Sequence, residues 1–83
     1  MRALRLHGFH DLRLDDVPEP SGPGPGEVLV APLLGGICGT DLQMYRNDRD
    51  MARPQIMCHE FVAEVVAVGA GAVKVREKDR VVV

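Results

Sequence analysis

Leu4 and Leu6 fall on one face of an extended segment and Arg5 on the other, and Leu12 and Leu14 alternate with Arg13 and Asp15 in the same way. Period-two alternation is the mark of a half-buried strand. Gly8-Phe9-His10-Asp11 supplies turn residues between the two runs. Roughly the first sixteen residues therefore read as a β-hairpin. Residues 18–26 are too rich in Pro and Gly for regular structure and read as an ordered surface loop inside one domain, not a linker. Residues 27–34 form a strong strand pattern, in which Pro32 points to an edge position or a bulge.

Gly35-Gly36 ends that strand. A short helix follows through about Tyr45, with Thr40 or a neighbour as its cap and Asp41 suited to its first turn. Residues 46–55 are polar, carry Pro54, and read as an exposed loop. Residues 61–68 have the apolar content of a buried strand. Gly69-Ala70-Gly71 turns, residues 73–76 extend briefly, and residues 80–83 start another strand. The sum is a mainly β domain with one short helix.

Composition narrows the class. The chain has 83 residues, enough for one domain, with 4% aromatics, no Trp and a net charge of −2. Its core must be built mostly from Val, Leu and Ala. No basic cluster appears, which argues against nucleic-acid binding. Charge is too dense in the first six residues for a secretion signal, and the longest apolar run is far short of the ~20 residues of a membrane span. The expected location is cytoplasmic, with no membrane partner. Two cysteines in that setting read as thiols or metal ligands before a disulfide. The terminal Val81-Val82-Val83 looks like the middle of a strand, so the chain reads as a fragment or a truncated product.

The chemistry lies between Gly35 and Glu60. Cys38 precedes a helix start, where unpaired amides and the dipole favour thiolate, the form that binds zinc. His59 follows a loop and opens a strand, a place from which a side chain can enter a cleft. Catalytic zinc takes three protein ligands and an open position, and Cys38 and His59 would supply two. On these residues alone the plainer reading is stronger. Cys38 and His59 then serve as ordinary core and surface residues, Thr40 and Asp41 as helix caps, and Glu60 as a solvated carboxylate.

The order of motifs shifts the balance. Gly36-Ile37-Cys38-Gly39-Thr40-Asp41, a polar loop with Pro, His59-Glu60, and an apolar strand ending Val68-Gly69-Ala70-Gly71 resemble the zinc-dependent medium-chain alcohol/polyol dehydrogenases. Pro23-Gly24-Pro25-Gly26-Glu27-Val28 resembles that family's lead-in, and Asp79-Arg80-Val81 its next strand. The resemblance covers nearly the whole chain. It implies a partly open GroES-like β-barrel, incomplete here, spanning 1–83 as the N-terminal part of a catalytic domain. It also implies Cys38 and His59 as zinc ligands, Glu60 as the carboxylate beside the metal, Asp41 as the group orienting the histidine, and Thr40 as the hydroxyl accepting the alcohol proton. Zinc would polarise the oxygen of a small alcohol or polyol, while NAD or NADP, bound only in a full-length parent, accepts hydride.

Several positions depart from that pattern. The third zinc ligand and the dinucleotide-binding domain would lie beyond Val83. Gly69-Ala70-Gly71 begins a Gly-x-Gly-x-x-Gly fingerprint, but Lys74 stands where its third glycine is needed. Cys58 and Lys78 replace glycines; at Cys58 a glycine would signal a special backbone angle. Cys58 could be an extra ligand, but neighbours on a strand point to opposite faces, which counts against its sharing a metal with His59. Gln43 cannot relay protons as the family's histidine does. The chain alone is therefore expected to be inactive. The alternatives are a stand-alone β-barrel binding module that forms homo-oligomers through its last strand, and a thiol sensor using Cys38, Cys58 and His59.

Overall fold

A computed structural model describes residues 1–47 and 53–83. The middle of the expected 46–55 loop lies outside the described residues. Contacts divide the chain into two units, each assembled from two separate segments. One comprises Met1–Glu19 and Ile37–Cys58, the other Pro20–Gly36 and His59–Val83. The Pro/Gly-rich loop thus runs from one unit into the other. Among the described residues no helix is long and apolar enough to cross a membrane.

The first unit is built on the expected hairpin. β1 (Arg2–Gly8) pairs antiparallel with β2 (Asp11–Asp16), placing Leu4 opposite Leu14, Leu6 opposite Leu12 and Ala3 opposite Asp15. The alternation holds, but burial does not follow it. Leu6 is 1% exposed, while Leu4, Leu12 and Leu14 remain exposed and Ala3, on the other face, is buried. A two-residue strand not expected from the sequence, β3 (Gln55–Ile56), pairs with Leu6 and Arg5 on the far side of β1. Its sheet runs in the order β2–β1–β3.

The polar face of the hairpin carries an ion cluster. Arg5 Nε donates to Asp15 Oδ2 at 2.9 Å and His7 Nε2 to the same oxygen at 2.5 Å. The hydrogen bond from His7, and then that from Arg5, hold the Asp15 carboxyl below its usual range against the opposing effect of desolvation. A carboxylate with a depressed folded pKa stabilises the fold above its unfolded value of about 3.9, and this contribution is lost as pH falls through the folded value. Urea midpoints should therefore drop on acidification below about pH 4, and Asp15→Asn should reduce that drop. An unchanged acid dependence in the variant would show that Asp15 is not the group responsible.

The second unit holds a separate antiparallel sheet. β4 (Val28–Gly35), β5 (Phe61–Val68) and β6 (Arg80–Val82) lie in the order β4–β5–β6. Ala63 and Val65 are its buried centre. Pro32 meets both expectations: β4 is an edge strand of this sheet, and the register slips between Pro32 and Leu34. The Pro/Gly loop is ordered by specific bonds. Gly69 N–H donates to Glu27 C=O at 2.8 Å, Gly26 N–H to Ala70 C=O at 2.7 Å, and Gly24 N–H to Glu27 Oε1 at 2.8 Å.

Residues 73–76 form no strand. After Gly71, at φ 82°, the chain turns, and Val73 is left 88% exposed. The Arg76–Asp79 turn closes with an Asp79 N–H to Arg76 C=O bond of 3.1 Å. Its third residue, Lys78, has φ 72°, and both Lys78 and Asp79 bond to Val65 of β5. That two-against-one arrangement is a bulge of the kind that places a glycine in the left-handed region.

Candidate functional site

In the first unit the site residues gather at the start of α1 (Gly39–Arg46). The N-cap is Cys38, extended at φ −99°, ψ 157°, and Thr40, two residues further on, lies inside the first turn. Cys38 C=O accepts the Asp41 N–H at 3.0 Å, and Asp41 Oδ2 accepts the Cys38 N–H at 2.9 Å. Asp41 thus fixes the cysteine backbone. Its acidic group also suits the first turn of a helix. Thr40 Oγ1 lies 3.7 Å from Cys38 Sγ, so thiol and hydroxyl share one edge of the helix start. Cys38 is half-buried, and Gln43 is exposed on α1. Cys58 belongs to this unit as well, is exposed, and has φ 88°. The left-handed backbone expected where glycine is usual is therefore present, with a thiol on it.

In the second unit His59 and Glu60 immediately precede β5. Neither is in the strand, which begins at Phe61, so strand alternation does not separate Cys58 from His59. Both His59 and Glu60 are exposed. The Gly36 N–H donates to Glu60 C=O at 2.8 Å, continuing the pairing of Gly35 with Phe61. A Cβ on Gly36 would lie 3.7 Å from Glu60 Oε2, so the glutamate side chain lies over the glycine. This bond fastens the end of β4 to the start of β5. Along the chain, Cys38 follows Gly36 by two residues, and His59 precedes Glu60 by one.

The donor set is chemically coherent. A thiol and an imidazole are zinc donors, with a carboxylate oxygen as a further one, and they suit magnesium or calcium poorly. Gly69-Ala70-Gly71 does not cradle a phosphate. Gly69 packs against the backbone of Gly24 and Glu27, and Gly71 supplies a positive-φ turn.

Residues 24–83 match the model of the alcohol dehydrogenase GroES-like domain. The chain belongs to this family. It is the N-terminal GroES-like segment expected from the zinc-dependent medium-chain alcohol/polyol dehydrogenases. It is 48% identical over 75 residues to a glucose 1-dehydrogenase of Thermoproteus tenax, covering 86% of this chain and 21% of that protein. A sorbitol dehydrogenase of Gallus gallus is 36% identical over 85 residues, covering 98% of this chain and 24% of its own length. The solved structure of 2R,3R-butanediol dehydrogenase from Bacillus subtilis superposes with a TM-score of 0.86 at 35% identity, covering 99% of this chain and 27% of that one. The chain thus spans about a fifth to a quarter of the length of these relatives. The mainly β fold with open sheets and one short helix is that of the family.

Proposed function

We propose that this chain is the zinc-ligating segment of an NAD(P)-dependent dehydrogenase acting on a small alcohol or polyol. Cys38 and His59 are two of the protein ligands. The observation that carries the reading is the start of α1, where the N-cap cysteine, its backbone amide held by Asp41, has the Thr40 hydroxyl 3.7 Å from its sulfur. Further support comes from the Gly36–Glu60 bond, from which the chain leads in two steps to the cysteine and in one to the histidine. When bound, zinc supplies Lewis-acid polarisation of the alcohol oxygen, and the nicotinamide takes the hydride.

Each protein group has a defined task. Cys38 and His59 hold the metal. Asp41 fixes the cysteine backbone and orients the imidazole, and Thr40 takes the proton of the alcohol. Glu60 is the carboxylate beside the metal. Because catalytic zinc takes about three protein ligands, the chain by itself binds metal weakly and does not turn over. A stand-alone module that oligomerises is the second reading. It rests on the exposed Val82 and Val83, which line an open apolar depression of about 400 Å³ with Leu34, Phe61 and Val62.

Cobalt serves as the spectroscopic substitute for zinc in the test. Titrating the purified chain with Co²⁺ should develop a thiolate-to-metal charge-transfer band. Cys38→Ser should abolish the band and His59→Ala should weaken binding at least about tenfold, whereas Cys58→Ser should leave the band in place. A band that survives Cys38→Ser, or no band at any Co²⁺ concentration, overturns the assignment.

A further inference from the structure

Helix α1 has no buried side chain. Short helices in water depend on an apolar face packed against the fold, and among the described residues α1 offers only half-buried apolar side chains, Met44 and Tyr45. Its C-terminal turn is instead held from the hairpin of its own unit. The β1–β2 turn carries His10 at φ 53°, and the His10 N–H donates to the Tyr45 C=O at 3.0 Å. That carbonyl is one of the last four of the helix, which have no partner within it. The His10 ring stacks on Tyr45, with centroids 4.8 Å apart and planes 17° from parallel, and on Phe9 at 4.0 Å and 22°. Three rings and one main-chain bond thus tie the hairpin turn to the end of α1.

We infer that His10 and Tyr45 are positioning residues for Cys38. An eight-residue helix is about 12 Å long and nearly rigid, so a restraint on its last turn also sets the direction of its first. The first turn holds Cys38 as N-cap, Asp41 on the cysteine amide and Thr40 beside the sulfur. The left-handed backbone at His10 aims both its N–H and its ring at Tyr45, and histidine is among the few non-glycine residues that adopt it with some frequency. The inference rests on the proposal that Cys38 is a metal ligand only as far as metal affinity is concerned. The clamp itself does not depend on it.

The test uses the full 83-residue chain. Tyr45→Ala deletes the stack, keeps the main-chain acceptor, and substitutes a better helix former, so lost helix propensity cannot explain its effect. Tyr45→Phe keeps the stack. His10→Gly keeps the N–H and the positive φ, removes the ring, and serves if Tyr45→Ala fails to fold.

Tyr45→Ala and His10→Gly should speed amide exchange in α1 about tenfold or more, leaving β5 amides unchanged, and should weaken Co²⁺ binding several-fold. Tyr45→Phe should stay within about twofold of the parent in both readouts. Exchange in α1 unchanged by loss of the stack overturns the clamp, as does a Tyr45→Phe variant that behaves like Tyr45→Ala. If the parent chain gives no cobalt band, the ligand assignment of Cys38 falls, and the exchange data still decide on the clamp.

Discussion

Gly69→Ala should destabilise the chain by about 3 kcal/mol or more, through overpacking against backbone. A Cβ at Gly69 would lie 2.0 Å from the Gly24 carbonyl oxygen and 2.9 Å from that of Glu27. Both oxygens are main-chain atoms engaged in the fold. Gly24 C=O accepts the Glu27 N–H at 3.0 Å, and Glu27 C=O accepts the N–H of Gly69 itself at 2.8 Å. No rotamer change relieves the clash, so the Pro/Gly loop and the β5 end must separate and give up these bonds. A domain of this size has a total stability of roughly 4–12 kcal/mol, so the loss is a large share of it. Gly71→Ala is the matched control. It meets open space but sits at φ 82°, and only the backbone cost of about 1 kcal/mol applies. Urea unfolding of both variants separates close approach from conformation. Equal midpoints would show that the Gly24–Gly69 contact does not hold the loop.

Cys58→Gly and Lys78→Gly, combined, should stabilise the chain by about 1–2 kcal/mol. Each non-glycine residue in the left-handed region costs about 1–2 kcal/mol, and glycine returns about 0.5–1 of that through the freedom of the unfolded chain. Lys78 is the simpler case, because its side chain is exposed and its φ of 72° is imposed by the bulge against Val65. Cys58, at φ 88°, is also exposed. A rise in Tm of about 4–8 °C per kcal/mol is expected for a domain of this length. A fall in Tm for Lys78→Gly would mean that the bulge tolerates lysine without strain.

These two positions show where the sequence was informative. The hairpin, β4, β5 and β6 follow directly from alternation and apolar runs, because a two-residue period leaves few other readings. The special backbone at Cys58 was legible only through the glycine that the family resemblance placed there; a cysteine carries no local signal for positive φ. At α1 the sequence points to a short helix with Thr40 or a neighbour as its cap, because hydroxyls are good caps. The chain caps at Cys38 and satisfies the cysteine amide with the Asp41 carboxylate. Gln55–Ile56 is too short to show a period, and only its pairing with β1 makes it a strand. Val73-Lys74-Val75 had the period but pairs with no strand among the described residues, and it is irregular with a bend at Lys74.

The grouping of Cys38, Thr40 and Asp41 was legible for a different reason. Thiol, hydroxyl and carboxylate fall within four residues of one another, and their order with His59-Glu60 carries family information that composition does not. The clamp at His10 and Tyr45 was not legible, because those residues are far apart in sequence and neither belongs to a motif. Ring stacking between a turn and a helix end leaves no periodic trace.

The division of the chain into interleaved segments has a kinetic consequence. Neither unit is a contiguous stretch: residues 1–19 wait for 37–58, and residues 20–36 wait for 59–83. Each unit must close a loop that contains a segment of the other before its long-range pairings form, and loop closure comes before the contacts that compensate it. During synthesis the hairpin can form early, but the sheet of β4 and β5 stays an unpaired edge until most of the chain has emerged. Folding should therefore be slow for the chain's length, and aggregation should compete through the exposed β4 strand during that interval.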